Sequence, residues 1–203
     1  MSTARSLITD GADAVFAEVL RRLDHAMAGE RDTNQLMNTL RVARRQVALL
    51  VALADLMGSW QVERVTAALS DFADTVLNAA ATHLLRRSAE TGDLALPFAD
   101  QPTRDSGLVV LALGTLASRG LNYSSDSDLR ALYDLKRVAY RGRRTVQDCF
   151  VRLARDLVRL LQERTDQGYV FRTDLRLRPD PASTPLALSV LAAETYYEGM
   201  GQN

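Results

Sequence analysis

The chain has 203 residues, enough to bury a hydrophobic core as one domain or two small ones. Hydrophobic residues make up 47% and charged residues 25%, and the formal net charge is zero, so nothing predicts wholesale attraction to nucleic acid or to an anionic membrane. A single cysteine, Cys149, excludes an internal disulfide; residues 1–9 lack the apolar stretch of a signal peptide, and the longest apolar run, 47–53, is too short to cross a bilayer. These features predict a soluble protein of the reducing cytoplasm.

In chain order, Val15, Val19, Leu20 and Leu23 recur at three-to-four spacing and predict a first helix. Asp32 or Thr33 offers an N-cap for a second, carrying Leu36, Leu40, Val47, Leu50, Val51 and Ala54 and stopping near Gly58. A third runs from about Trp60 to Gly92, with Val65, Leu69, Phe72, Val76 and Leu84 on one stripe. Residues 1–94 therefore read as a helical subdomain, and the Pro-, Asp- and Ser-bearing stretch 95–106 as a linker.

The pattern then changes. Residues 108–113 form an apolar run expected of a strand buried on both faces, 114–120 a turn or short helix, and 126–133 a second strand. Residues 145–165 predict an amphipathic helix with Phe150, Leu153, Leu157 and Leu161 inward and Arg152, Arg155 and Arg159 outward. Residues 169–176 alternate like a strand, and a final helix is expected over 188–197. The fold class is α+β, with residues 107–203 as a mixed β-sheet flanked by helices.

Chemistry concentrates in this second half. Asp126 and Asp128 stand two apart, so a strand would send both carboxylates to one face, beside any phosphate held there. An isolated acid-X-acid triplet is more often a solvated turn. Two further features raise its significance. Backbone N–H groups of the Gly114–Ser118 turn can be aimed at a phosphate, and Asp174 adds a third carboxylate with Arg176 and Arg178 on its strand face. Residues 129–178 also carry 13 Arg or Lys against 6 Asp or Glu, a local +7 that suits an anionic substrate. Three acids with neighbouring arginines suit metal-assisted phosphoryl or nucleotidyl transfer. His25 and His83 have no partner at metal-ligand spacing and read as structural, as does Trp60, expected to anchor packing; Cys149 reads as a small core residue.

The segments Asn122-Tyr123-Ser124-Ser125-Asp126-Ser127-Asp128-Leu129 and Tyr169-Val170-Phe171-Arg172-Thr173-Asp174-Leu175-Arg176-Leu177-Arg178-Pro179 resemble the glutamine synthetase adenylyltransferase family. Residues 47–55 and 69–74 resemble it too, and the likeness runs from about Leu36 to Asn203. It implies a polymerase-beta-like nucleotidyltransferase fold, and the tail from Gly168 to Tyr197 is more similar to the N-terminal, adenylyl-removing half of those two-part enzymes. That half uses inorganic phosphate to release AMP from an adenylylated tyrosine of glutamine synthetase as ADP. By resemblance, Asp126, Asp128 and Asp174 bind Mg2+, while Gly114, Ser118, Ser124, Arg176 and Arg178 contact phosphate or nucleotide. The implied partners are glutamine synthetase, ADP or ATP, phosphate and, through a longer enzyme, a PII-type signalling protein.

Two alternatives stay open: forward adenylylation from ATP, or a binding module that has lost catalysis. The chain departs from the family pattern at Thr115 (lysine expected), Ala117 (glycine) and Gly120 (glutamate). Ser127 and Arg130 stand where a buried strand would carry apolar residues, and the chain reads as a fragment or a diverged paralogue.

Overall fold

The computed structural model describes residues 11–174 and 184–200. Three helices come first: α1 (Ala12–Ala28), α2 (Thr33–Leu56) and α3 (Val62–Glu90). Their apolar stripes are buried as the spacing predicts, with Val15, Val19 and Leu23 on α1, Leu36, Leu40, Val47 and Leu50 on α2, and Val65, Leu69, Phe72 and Val76 on α3. Asp32 caps α2, accepting hydrogen bonds from the backbone N–H groups of Asn34 at 2.7 Å and Gln35 at 2.9 Å. Trp60 is buried edge-on against Phe16, with ring centroids 5.9 Å apart. None of the described helices is long and apolar enough to cross a membrane.

The second half contributes β1 (Leu108–Ala112), the one-turn helix α4 (Gly114–Ala117), β2 (Ser127–Tyr133), α5 (Val146–Gln162), β3 (Thr173–Asp174), β4 (Ala187–Ser189) and α6 (Val190–Met200). Strand β2 is the hub of a mixed sheet. It pairs antiparallel with β1, Val110 opposite Ala131. On its other side it pairs parallel with β3 at one end, Asp128 opposite Asp174, and with β4 at the other, Ala131 opposite Ala187. Helix α5 supplies the crossover that a parallel β2–β3 pair requires. It starts with a capping box in which Thr145 and Asp148 bond each other's backbone N–H.

Along β2, Ser127, Leu129, Ala131 and Tyr133 are buried, while Asp128 and Arg130 on the opposite face are half-buried. Tyr133 stacks on Phe150 of α5 at 4.9 Å. Phe72 of α3 meets Phe171 at 5.7 Å, and one hydrophobic cluster runs from α1 through α3 and α5 to Ala187. The stretch after α3 is held to the second half as well: Ala95 N–H donates to Ala139 O, and Arg141 N–H to Asp93 O, both at 2.9 Å.

Several expectations are corrected. Strand β1 is not buried on both faces; it lies at the edge of the described sheet and leaves Leu111 42% exposed. The six-residue apolar run over 108–113 reads like a central strand because run length alone cannot separate an edge strand shielded on one side from an interior one. The strand expected over 169–176 is two residues long as far as it is described, since Val170 and Phe171 turn their N–H groups to Leu161 O at the end of α5. The last helix begins at Val190, because residues 187–189 join β2 as β4.

Candidate functional site

The site is built at the end of the sheet where β1 turns into α4. Two glycines bracket β1, each at positive φ. At Gly107 (φ +81°) a Cβ would collide with Val138. Gly114 (φ +58°) has a more informative neighbour: a Cβ there would stand 2.8 Å from Oδ2 of Asp128. The Asp128 carboxylate therefore lies against the bare backbone of the turn, and an L-residue at 114 would be both strained and in its way. Leu113 N–H donates to Asp128 O at 2.9 Å, which fixes the turn to β2.

Asp128 and Asp174 are register partners on adjacent parallel strands, so their side chains leave the sheet on the same face. Continuing the pairing one step outward, Ser127 N–H donates to Arg172 O at 2.8 Å. Two residues before Asp174 and two before Asp128, Arg172 Nε meets Asp126 Oδ1 at 2.7 Å. The arrangement is a ladder: an Asp126–Arg172 rung, then an Asp128–Asp174 rung. Arg172 also donates from Nη2 to Ser124 O at 2.8 Å, tying down the loop over 122–126.

Gly114, Asp128 and Asp174 are thus brought together, and Asp126 and Ser124 join them through Arg172. Two hydroxyls are engaged locally: Ser118 Oγ donates to Thr115 O at 3.2 Å, and Ser124 Oγ to Asn122 Oδ1 at 3.3 Å. Arg176 and Arg178 lie outside the described residues. Ala117 sits within the regular turn of α4 without a positive φ; the left-handed residue here is Arg119, at φ 56°. The alanine that replaces the family's glycine at 117 therefore sits in a backbone conformation open to any L-residue. Arg130 bears out part of the concern about a charge on this strand: the residue is half-buried rather than enclosed, but its Nε is buried without a hydrogen-bond partner among the described residues. It projects from the same half-open face as Asp128 and lies 5.1 Å over the Tyr197 ring, while burial holds its pKa below the usual arginine value.

The helical layer grips both loops of the site. Arg119, just past α4, pairs with Asp71 of α3 at 2.6 Å. Tyr123 donates to Asp55 of α2 at 3.1 Å, and burial followed by that carboxylate pushes the phenol pKa up. Asp74, one turn beyond Asp71, is raised chiefly by burial, with Arg119 opposing. Asp55 and Asp71 stand inside segments that carried the family resemblance, yet only their contacts give them a role.

Could these donors hold a divalent cation? No group of three or more acidic, His or Cys side chains among the described residues is gathered as a ligand set. Mg2+, however, is commonly bound through one or two carboxylates together with substrate phosphates, and the Asp128–Asp174 rung offers such a pair of hard oxygen donors. The donor chemistry fits. Arg172 is the site residue that sequence reasoning left without a role. Its two-residue offset from Asp174, matching that of Asp126 from Asp128, was the available signal.

The chain matches the family model for glutamate-ammonia ligase adenylyltransferase over residues 10–203. It is 49% identical over 187 residues to a bifunctional glutamine synthetase adenylyltransferase/adenylyl-removing enzyme of Rhizobium meliloti (strain 1021), covering 92% of this chain and 19% of that protein. The identically named protein of Rhodopseudomonas palustris (strain BisB5) is 44% identical over 196 residues, covering 97% of this chain and 20% of that relative. That of Agrobacterium fabrum is 48% identical over 170 residues, 84% of this chain and 17% of the relative. The chain spans about a fifth of the length of these curated relatives. With a family model matched over nearly the whole chain and relatives 44–49% identical across most of it, the chain belongs to the glutamate-ammonia ligase adenylyltransferase family.

Proposed function

We propose that this chain carries a nucleotidyl-transfer site that removes AMP from an adenylylated tyrosine of glutamine synthetase, with inorganic phosphate as acceptor and ADP as product. The observation that carries this reading is the Asp128–Asp174 rung set against the Cβ-free backbone of Gly114. It puts two carboxylates beside a turn on which a phosphate can be laid. Resemblance of the tail, with Ser189, Tyr196 and Tyr197, to the adenylyl-removing half favours removal over transfer from ATP.

In this reaction a phosphate oxygen attacks the adenylyl phosphorus and the bond from phosphorus to the tyrosine oxygen breaks. The electron pair stays on the phenol oxygen, which takes up a proton as tyrosine is restored. Mg2+, when bound, supplies charge neutralisation at the phosphoryl oxygens. Asp128 and Asp174 would hold it, with Asp126 one rung away as the third carboxylate of the site. Gly114 leaves room for Asp128, and the 122–126 loop is kept in place by Arg172. A PII-type protein would act through the longer enzyme.

The test is ADP release from adenylylated glutamine synthetase with Mg2+ and phosphate, comparing this chain with Asp126→Asn and Asp128→Asn. The expected result is phosphate-dependent ADP, lost by at least about a hundredfold in each variant while the far-ultraviolet circular dichroism spectrum is unchanged. Unchanged activity in both variants would sink the site assignment. Activity that requires ATP instead would reverse the direction, and absence of turnover by a folded chain would leave a binding module.

A further inference from the structure

We propose that Arg172 couples cation and phosphate binding by exchanging partners with Asp126. This rests on the reading above of Asp128 and Asp174 as a cation site. Arg172 Nε holds Asp126 Oδ1 at 2.7 Å, with side chains 56% and 48% exposed, while Arg172 Nη2 holds Ser124 O at 2.8 Å. A solvent-facing ion pair of this kind is weak and readily exchanged. Asp126 also lies just before β2, outside its strand pairing, so its carboxylate is free to swing without breaking the sheet.

A cation at the Asp128–Asp174 rung stands one rung away and competes with Arg172 for Asp126. Once Asp126 turns to the cation, the guanidinium remains anchored at Ser124 O and presents its planar fork to the same side of the sheet. That fork matches two oxygens of a phosphate. The turn over 114–118 carries no cation of its own, since Thr115 and Ser118 are its polar side chains. Arg172 is therefore a positive group next to the acids that can take up phosphate charge, and it can do so only when Asp126 has let go. Each ligand then favours the other, because each favours the state in which the Asp126–Arg172 pair is open.

The experiment measures Mn2+ affinity by electron paramagnetic resonance titration, with and without inorganic phosphate, in this chain and in Arg172→Gln, Arg172→Lys and Asp126→Asn. In the unaltered chain phosphate is expected to tighten Mn2+ binding by about tenfold, a typical coupling between linked sites. Arg172→Gln should bind Mn2+ more tightly than the unaltered chain when phosphate is absent, and should lose most of the phosphate enhancement. Arg172→Lys, which keeps the charge without the fork, should retain part of it.

Equal enhancement in the unaltered chain and Arg172→Gln would overturn the exchange while leaving the cation site standing. Coupling that survives in Asp126→Asn would overturn it as well. A chain that binds no Mn2+ in either condition would overturn both the exchange and the metal reading beneath it.

Discussion

His83 is 3% exposed on α3, with its Nε2 3.0 Å from the Thr33 hydroxyl, and burial is the largest influence on its pKa, lowering it. The folded state therefore favours neutral imidazole. An unfolded histidine titrates at about 6.5, so its contribution to stability is fully present above that pH and is lost as pH falls through the folded value. Urea midpoints should drop between pH 7 and pH 5 more steeply in the unaltered chain than in His83→Gln. Parallel pH profiles for the two proteins would show that His83 contributes nothing to the slope. The structural role expected of this histidine was legible because no metal-ligand partner stands near it in sequence; Cys149 was placed in the interior by the apolar helix face it occupies, and Trp60 by its large apolar ring at a helix start. Arg172 was not legible in that way. Asp126 and Asp128 announce themselves by their spacing, whereas an arginine's partner 46 positions away emerges only when α5 returns the chain to the edge of β2.

Arg41 makes the same point at the level of elements. A mid-helix arginine on α2 reads as a solvated face, yet it is fully buried and donates to Met37 O at 2.9 Å, Leu160 O at 3.1 Å, Gly168 O at 2.8 Å and Glu163 O. Leu160 and Glu163 lie at the end of α5, where helix carbonyls have no partners along the chain and the helix dipole favours a cation. The cation thus joins α2 to the end of the crossover helix and to the turn leading into β3. Replacing Arg41 with Met keeps much of the volume but removes the donor to Leu160 O and Glu163 O, while Gly168 O keeps the Thr165 N–H. The expected loss is about 3 kcal/mol, since an unsatisfied buried group costs about 1–3 kcal/mol; a shift in the urea midpoint at unchanged slope would measure it, and a loss under 1 kcal/mol would show that the carbonyls find other partners. The helices themselves were read within a few residues from spacing and caps, because burial of one stripe dictates both. Short strands carry no such periodicity. A three-residue β4 is defined by its pairing with β2, which no local pattern encodes.

For the molecule as a whole, the helical layer sets the shape of the site. Asp71 reaches from α3 to Arg119 after the glycine turn, and Asp55 from α2 to Tyr123 in the loop before Asp126. Both contacts are solvent-facing, and exposed pairs contribute about 0–1 kcal/mol each, so their weight falls on loop position more than on global stability. Asp55→Asn with Asp71→Asn should leave the urea midpoint nearly unchanged. In the same variant, amide hydrogen exchange should speed up several-fold across residues 115–126 and stay constant in α5 and in the interior of α3. Local opening free energies report this kind of loosening separately from global unfolding. If the two loops exchange at the rate of the unaltered chain, the sheet alone positions them and the helices serve only the core. If they loosen while phosphate-dependent ADP release falls, the three long helices will have been shown to hold the turn beside Asp128.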